Sequence, residues 1–290
     1  MDLYFYETHL HTCEASACAG TPGKDYIKAY KEAGYAGFFV TDHFFNGNSA
    51  VPKDLPWEER IDLYCRGYEN AKEEADKVGG LDVFFGLEVN FKGDEYLLYG
   101  PDKEWLKAHP EIMGWTHEEL RKEVHKIGGL MIQAHPFRDR GYLSGIYVHP
   151  CQCDGFEGYN SGNPGYSDCY GFDFALKNRI KMTSGSDIHR VKDITDNPGG
   201  ICFTSRLRGA KDWAKRFFAA TESVPLVKDN EKVYNEGIAK LNEKNYGFIT
   251  YSDRMKPDPE NSPFGREIFL ADRDDKEVLY TPFNVLEVKL

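Results

Sequence analysis

The stretch YETHLHTCEASACAG, residues 6–20, places His9 and His11 one residue apart at the end of a short apolar run, with Cys13, Glu14, Ser16 and Cys18 close behind. On an extended strand, residues i and i+2 face the same side about 7 Å apart at Cα, so both imidazoles can grip one cation. One such pair among nine histidines is unremarkable. The spacing recurs, however, with Asp187 and His189 in SGSDIHR, at the end of another apolar run. His43 in VTDHF, Glu88 in GLEV and His135 in QAHP also end apolar runs. Each residue alone reads as a hydrogen-bonded loop residue. Together they supply nitrogen and oxygen donors suited to Zn²⁺, Mn²⁺ or Fe²⁺.

The elements that must position these residues are legible as alternating patterns. Short apolar runs occur at 3–9, 37–43, 82–88, 129–135, 154–160, 179–187 and 199–205. Helical candidates lie at 24–34, 58–78, 117–127, 170–178 and 209–220, several ending near a glycine. This β-α repeat predicts a parallel sheet, and seven runs favour a distorted seven-stranded (β/α)7 barrel over an open sheet. In such barrels the C-terminal strand ends form the active face, where the seven residues would converge. The segment 89–100, containing NFKGDEYLLYG, reads as a hairpin after the third strand. The barrel is expected over 1–222. Residues 223–290 read as a β-rich appendage, with an amphipathic stretch at 231–244, a Pro-rich loop at 257–263 and a hairpin turning at Asp272–Asp275.

Composition narrows the function classes. The chain has 290 residues, 41% hydrophobic and 29% charged, and no apolar stretch near the ~20 residues a membrane helix needs. Asp2, Glu7, Thr8 and His9 interrupt any signal-like apolar region, and seven cysteines in a chain of this length read as reduced thiols, so a cytoplasmic protein is expected. A net charge of −11 argues against binding long nucleic acid and favours a small substrate. Bound cations would offset part of that charge, leaving a phosphorylated ligand open.

In order and spacing, ETHLHT, VTDHF, GLEV, QAHP and GSDIH, spread over about residues 4–205, resemble the polymerase and histidinol phosphatase (PHP) superfamily. That resemblance implies a seven-stranded barrel holding two to three divalent metals. His9, His11, Glu88 and Asp187 would hold one, Glu88 would bridge to a second shared with His135, and His43 and His189 would hold a third. Two positions depart from the common pattern. Cys18 is the nearest match to an Asp or His ligand of the third metal, and reads either as a thiolate ligand or as a small buried hydrophobe. Tyr96, beside Glu95, stands where a histidine often completes the second metal.

Arg138 and Arg190 follow His135 and His189 closely, and each reads as a phosphate-binding guanidinium or as an exposed ion pair. Glu157 and Asn160 lie at another strand end, where Asn160 orients a ligand or bonds within its loop. Cys151 and Cys153, with His149, lack the usual zinc spacing and read as surface thiols. His109, His117 and His125 read as solvated or capping residues of helical segments. The implied activity is hydrolysis of a small phosphomonoester, nucleotide or cyclic phosphate by a metal-bound hydroxide. The alternatives are an amidohydrolase-type enzyme cleaving a C–N bond and a metal-binding module with decayed activity.

Overall fold

The computed structural model describes residues 4–138, 140–142, 145–163, 165–195 and 199–219, together with short strands at 225–227, 247–250, 267–271 and 277–280. Its strands are β1 (Tyr4–Glu7), β2 (Gly37–Val40), β3 (Asp82–Phe91), β4 (Asp94–Tyr99), β5 (Leu130–Ala134), β6 (Gly145–Val148), β7 (Gly155–Asn160), β8 (Met182–Gly185) and β9 (Ile201–Phe203), then β10 (Pro225–Val227), β11 (Gly247–Thr250), β12 (Glu267–Ala271) and β13 (Glu277–Tyr280). The helices are α1 (Tyr26–Glu32), α2 (Trp57–Tyr64), α3 (Arg66–Val78), α4 (Lys103–Ala108), α5 (His117–Lys126), α6 (Gly165–Lys177) and α7 (Ala210–Ala219).

The order β9-β1-β2-β3-β4-β5-β7-β8 makes an eight-stranded, nearly closed barrel-like sheet. Seven of these strands are the seven apolar runs. The eighth is β4, the returning arm of the hairpin, which inserts antiparallel between β3 and β5. β9 also runs antiparallel, against β1. The insertion is favoured because every residue of β4 is buried, so an outlying arm would expose Tyr96, Leu97, Leu98 and Tyr99 to water.

The chain just after β1 meets the chain just after β8 through a parallel bridge between Leu10 and Ile188, in which His11 N–H donates to Ile188 O at 2.9 Å and Ile188 N–H to His9 O at 3.2 Å. Leu10 and Ile188 are buried in one hydrophobic cluster with Phe38 and Val40. Side chains alternate along a strand, so burying these two turns His9, His11, Asp187 and His189 to the opposite side.

The helices follow local signals. α5 opens with a capping box between Thr116 and Glu119, buries Leu120 and Val124, and stops before Gly128, whose φ of 74° suits glycine. The expected helix 58–78 is two, broken at Cys65. α4 lies outside the expected segments and is capped by Asp102, which accepts from Trp105 N–H at 2.9 Å. α7 packs Trp213 against Phe203 and Tyr99.

β12 and β13 pair as the expected hairpin, β12 runs parallel to β6, and β11 extends the large sheet beside β9. The expected amphipathic stretch, Pro-rich loop and turn at 272–275 lie outside the described residues.

Candidate metal centre

Glu88 stands at the middle of the site, buried near the end of β3, with four histidines around its carboxylate. Oε1 is 3.3 Å from His9 Nε2 and 3.2 Å from His135 Nε2; Oε2 is 3.4 Å from His11 Nε2 and 2.7 Å from His43 Nδ1. Asp187 Oδ1 lies 2.9 Å from His11 Nε2 and 3.4 Å from His9 Nε2. His189 completes a second face with His11 and His43, whose ligand nitrogens all lie within 4.8 Å of one another. All seven residues singled out by their types and spacing thus converge on one patch.

Outer hydrogen bonds set the imidazole tautomers. His9 Nδ1 lies 3.1 Å from Glu157 Oε1 and donates to it. Ser16 Oγ gives its proton to Asp42 at 2.7 Å, so it accepts from His11 Nδ1 at 3.0 Å. His189 Nδ1 donates to Asp187 O at 2.7 Å. With these protons on Nδ1, the Nε2 atoms of His9 and His11 face each other at 3.1 Å, where either a proton on His9 or a cation must lie between them. That arrangement is repulsive unless positive charge sits between them. Glu88 Oε2 and His43 Nδ1, both buried, likewise lack hydrogen-bond partners. Donor chemistry and orphaned atoms therefore fit divalent cations.

The electrostatics agree. Burial raises the Glu88 carboxyl, but His43, His9 and the His135 hydrogen bond outweigh it and hold the group well below the usual carboxylate range. Burial would lower His9, yet Glu157, Asp187 and Glu88 raise it well above its ordinary value; His43 is raised to about 11 chiefly by Glu88 against burial. His11, by contrast, is lowered to about 3 by burial and by His43, and His135 falls well below its ordinary value through burial and Arg138. Two imidazoles are thus kept neutral, while two take up protons when no metal supplies the charge.

The frame around these groups is tight. Glu157 also accepts from His135 N–H at 3.0 Å and Asn160 Nδ2 at 2.7 Å. Gly185 in β8 lies so close that a Cβ there would stand 2.5 Å from Glu157 Oε1 and 2.7 Å from His9 Cβ. His135 and Asp187 adopt positive φ, 31° and 53°, a conformation that non-glycine residues hold only where their surroundings impose it.

The two departures from the family pattern resolve differently. Cys18 Sγ lies 3.0 Å from His189 Nε2, beside the face formed by His11, His43 and His189, rather than in the core. Burial pushes its thiol up, but hydrogen bonds with His189 and His43 bring it down to about 6. Tyr96 points away, donating to Asp94 Oδ2 at 2.8 Å. Its neighbour Glu95 points into the centre, with Oε2 3.5 Å from His135 Nε2 and Oε1 4.0 Å from His43 Nδ1. Glu95 is the acidic residue whose placement the hairpin reading left undetermined; the signal for it was the period-2 alternation of DEYLLY, which sends Glu95 to the face opposite Asp94 and Tyr96.

The arginines also part company. Each guanidinium nitrogen of Arg138 has a protein acceptor: Nη1 donates to Asp187 Oδ2 at 2.6 Å, Nη2 to Asn160 Oδ1 at 3.2 Å, and Nε to Asn163 Oδ1. Arg138 thus braces Asp187. Arg140, outside the expected set, pairs with Glu95. Arg190 is exposed, its stem packed over Gly20, with no acidic partner among the described residues. Glu95, His135, Arg138 and Arg140 line one open cleft. Of the remaining candidates, Cys153 is buried rather than at the surface, and Cys151 is partly buried. His109 bonds to Trp105 O within α4, and His125 to Asp154.

No protein-family model and no curated protein matches the sequence. The fold is similar to the crystal structure of a two-domain protein containing a predicted PHP-like metal-dependent phosphoesterase from Bacteroides vulgatus, at 13% identity and a TM-score of 0.55, covering 81% of this chain and 70% of that one. More distant similarities are to PsfC from Pseudomonas syringae, at 17% identity, 74% and 88% coverage and a TM-score of 0.47, and to an amidohydrolase from Chromobacterium violaceum with bound sulfate and no metal, at 15% identity, 63% and 87% coverage and a TM-score of 0.42. The chain therefore shares its overall fold with the Bacteroides vulgatus protein. No helix among the described residues is long and apolar enough to cross a membrane.

Proposed function

We propose that this protein is a metal-dependent hydrolase of small phosphoesters. The observation that carries the reading is the convergence of His9, His11, His43, Glu88, His135, Asp187 and His189 on one patch, with the Nε2 atoms of His9 and His11 3.1 Å apart. His9, His11, Glu88 and Asp187 would hold one divalent ion, Glu88, His135 and Glu95 a second, and His43, His189 and Cys18 a third. When bound, such ions lower the pKa of water toward ~7 and neutralise charge developing on a phosphoryl group.

The chain's own groups do the rest. Glu157 keeps His9 in the Nδ1–H tautomer, and Ser16 does the same for His11. Arg138 holds Asp187 in its positive-φ position, while Arg190, exposed and without an acidic partner among the described residues, is the guanidinium left to meet a substrate phosphate oxygen in this reading. The net charge of −11 favours a small substrate over long nucleic acid.

Turnover of 4-nitrophenyl phosphate and bis(4-nitrophenyl) phosphate is measured with Mn²⁺ or Zn²⁺ and in chelator. Metal-dependent release of nitrophenol from either ester is expected. Hydrolysis of an amide substrate with no turnover of either ester would move the assignment to C–N bond cleavage.

A further inference from the structure

A second set of metal-ligating side chains lies apart from the centre around Glu88. Asp94 begins β4, His117 opens α5 and His149 follows β6, and their ligand atoms all lie within 4.8 Å of one another. Three polar atoms converge on the single oxygen Asp94 Oδ2: His117 Nε2 at 2.7 Å, Tyr96 Oη at 2.8 Å and His149 Nε2 at 3.2 Å. A carboxylate oxygen offers two in-plane lone pairs, so as a pure hydrogen-bond arrangement this oxygen is one donor over-subscribed.

The rings are held before any ligand arrives. Phe91 stacks on His117 at 4.0 Å and 23°, and His117 stacks on His149 at 4.7 Å and 24°. His149 is further fixed through its backbone: its N–H donates to Gln133 Oε1 at 2.9 Å, and its carbonyl accepts from Cys153 Sγ at 3.4 Å. Asp94 and His149 are buried, whereas the His117 side chain is 18% exposed and leaves the pair open to solvent.

The geometry points to a separate site for one divalent cation of the zinc class, held by Asp94, His117 and His149. Two imidazoles and one carboxylate are a ligand set that Zn²⁺ accepts, with water completing four-coordination. The Tyr96 hydroxyl would stay on Asp94 as the outer hydrogen bond that orients a ligating carboxylate. Asp94 and Glu95 are adjacent on β4 and face opposite sides, so this ion would sit behind the strand that carries Glu95 and clamp it to α5 and the end of β6.

The test is zinc stoichiometry of the full chain by equilibrium dialysis after chelator stripping, for the unaltered protein, His117→Gln and His149→Gln. Glutamine retains an N–H near the position of Nε2, so it preserves the hydrogen bond to Asp94 while removing the metal ligand. Each variant is expected to bind one equivalent fewer than the unaltered protein and to show a smaller zinc-induced rise in melting temperature. Glu88→Gln is expected to keep the equivalent that His117→Gln loses, which separates this site from the centre and makes its failure distinguishable from failure of the phosphoesterase reading. Asp94→Asn, nearly isosteric, replaces any variant that does not fold. Equal zinc content in the unaltered protein and the folded variants overturns the proposal.

Discussion

His43 Nδ1 and Glu88 Oε2 lie 2.7 Å apart across two neighbouring strand ends, buried, yet neither has a hydrogen-bond partner. Without a cation the contact is an ion pair lacking hydrogen-bond alignment, and a shared divalent ion would replace it. Several consequences can be measured.

Metal uptake should release protons. His9 and His43 sit above their ordinary pKa values, His43 at about 11, so both are protonated at neutral pH when no cation is present. A ligating nitrogen must be deprotonated, so affinity should rise with pH across the neutral range, by about tenfold per pH unit for each proton displaced. Titration with Mn²⁺ in a weakly buffered solution reads this directly. Uptake without proton release would remove these two histidines from the ligand set.

Glu88→Gln should be more damaging than His43→Ala. The carboxylate faces four imidazoles, and removing its charge strands buried positive groups, at a cost of about 3–5 kcal/mol. Metal content and thermal unfolding with and without chelator compare the two. Equal metal affinity in Glu88→Gln and the unaltered protein would dismiss the bridging role.

Arg138 and Arg190 should separate cleanly. Arg138→Ala leaves Asp187 buried without its cation, so loss of metal affinity and about 3–5 kcal/mol of stability is expected. Arg190→Ala should leave metal content and melting temperature unchanged and raise KM for a phosphoester. Steady-state kinetics with metal analysis on both variants decides; a reversed pattern would exchange the two roles.

Gly185→Ala introduces one methyl group and no charge, yet should weaken metal binding. Its Cβ would force Glu157 off His9 Nδ1. Outer-sphere partners of this kind are worth about 10–100-fold in metal affinity. Normal affinity in a folded Gly185→Ala protein would show that Glu157 does not orient His9.

The sequence by itself determined the set of donor side chains and the strands that carry them. HLH and DIH at run ends, with VTDH, GLE and QAHP, named all seven residues that meet at the site, because period-2 spacing and strand-end position survive folding unchanged. What only the tertiary structure decided depends on register and packing. Whether 89–100 projected outward or joined the barrel rested on burial of Tyr96 to Tyr99, and that choice sent Glu95 into the centre and Tyr96 to Asp94. Arg138 and Arg190 look alike beside their histidines in sequence, but Asp187, Asn160 and Asn163 converge on the first and none on the second. His117 and His149, thirty-two residues apart in separate elements, become neighbours only when β4, α5 and the end of β6 pack together. Such pairings arise from contacts distant along the chain, which local periodicity does not encode.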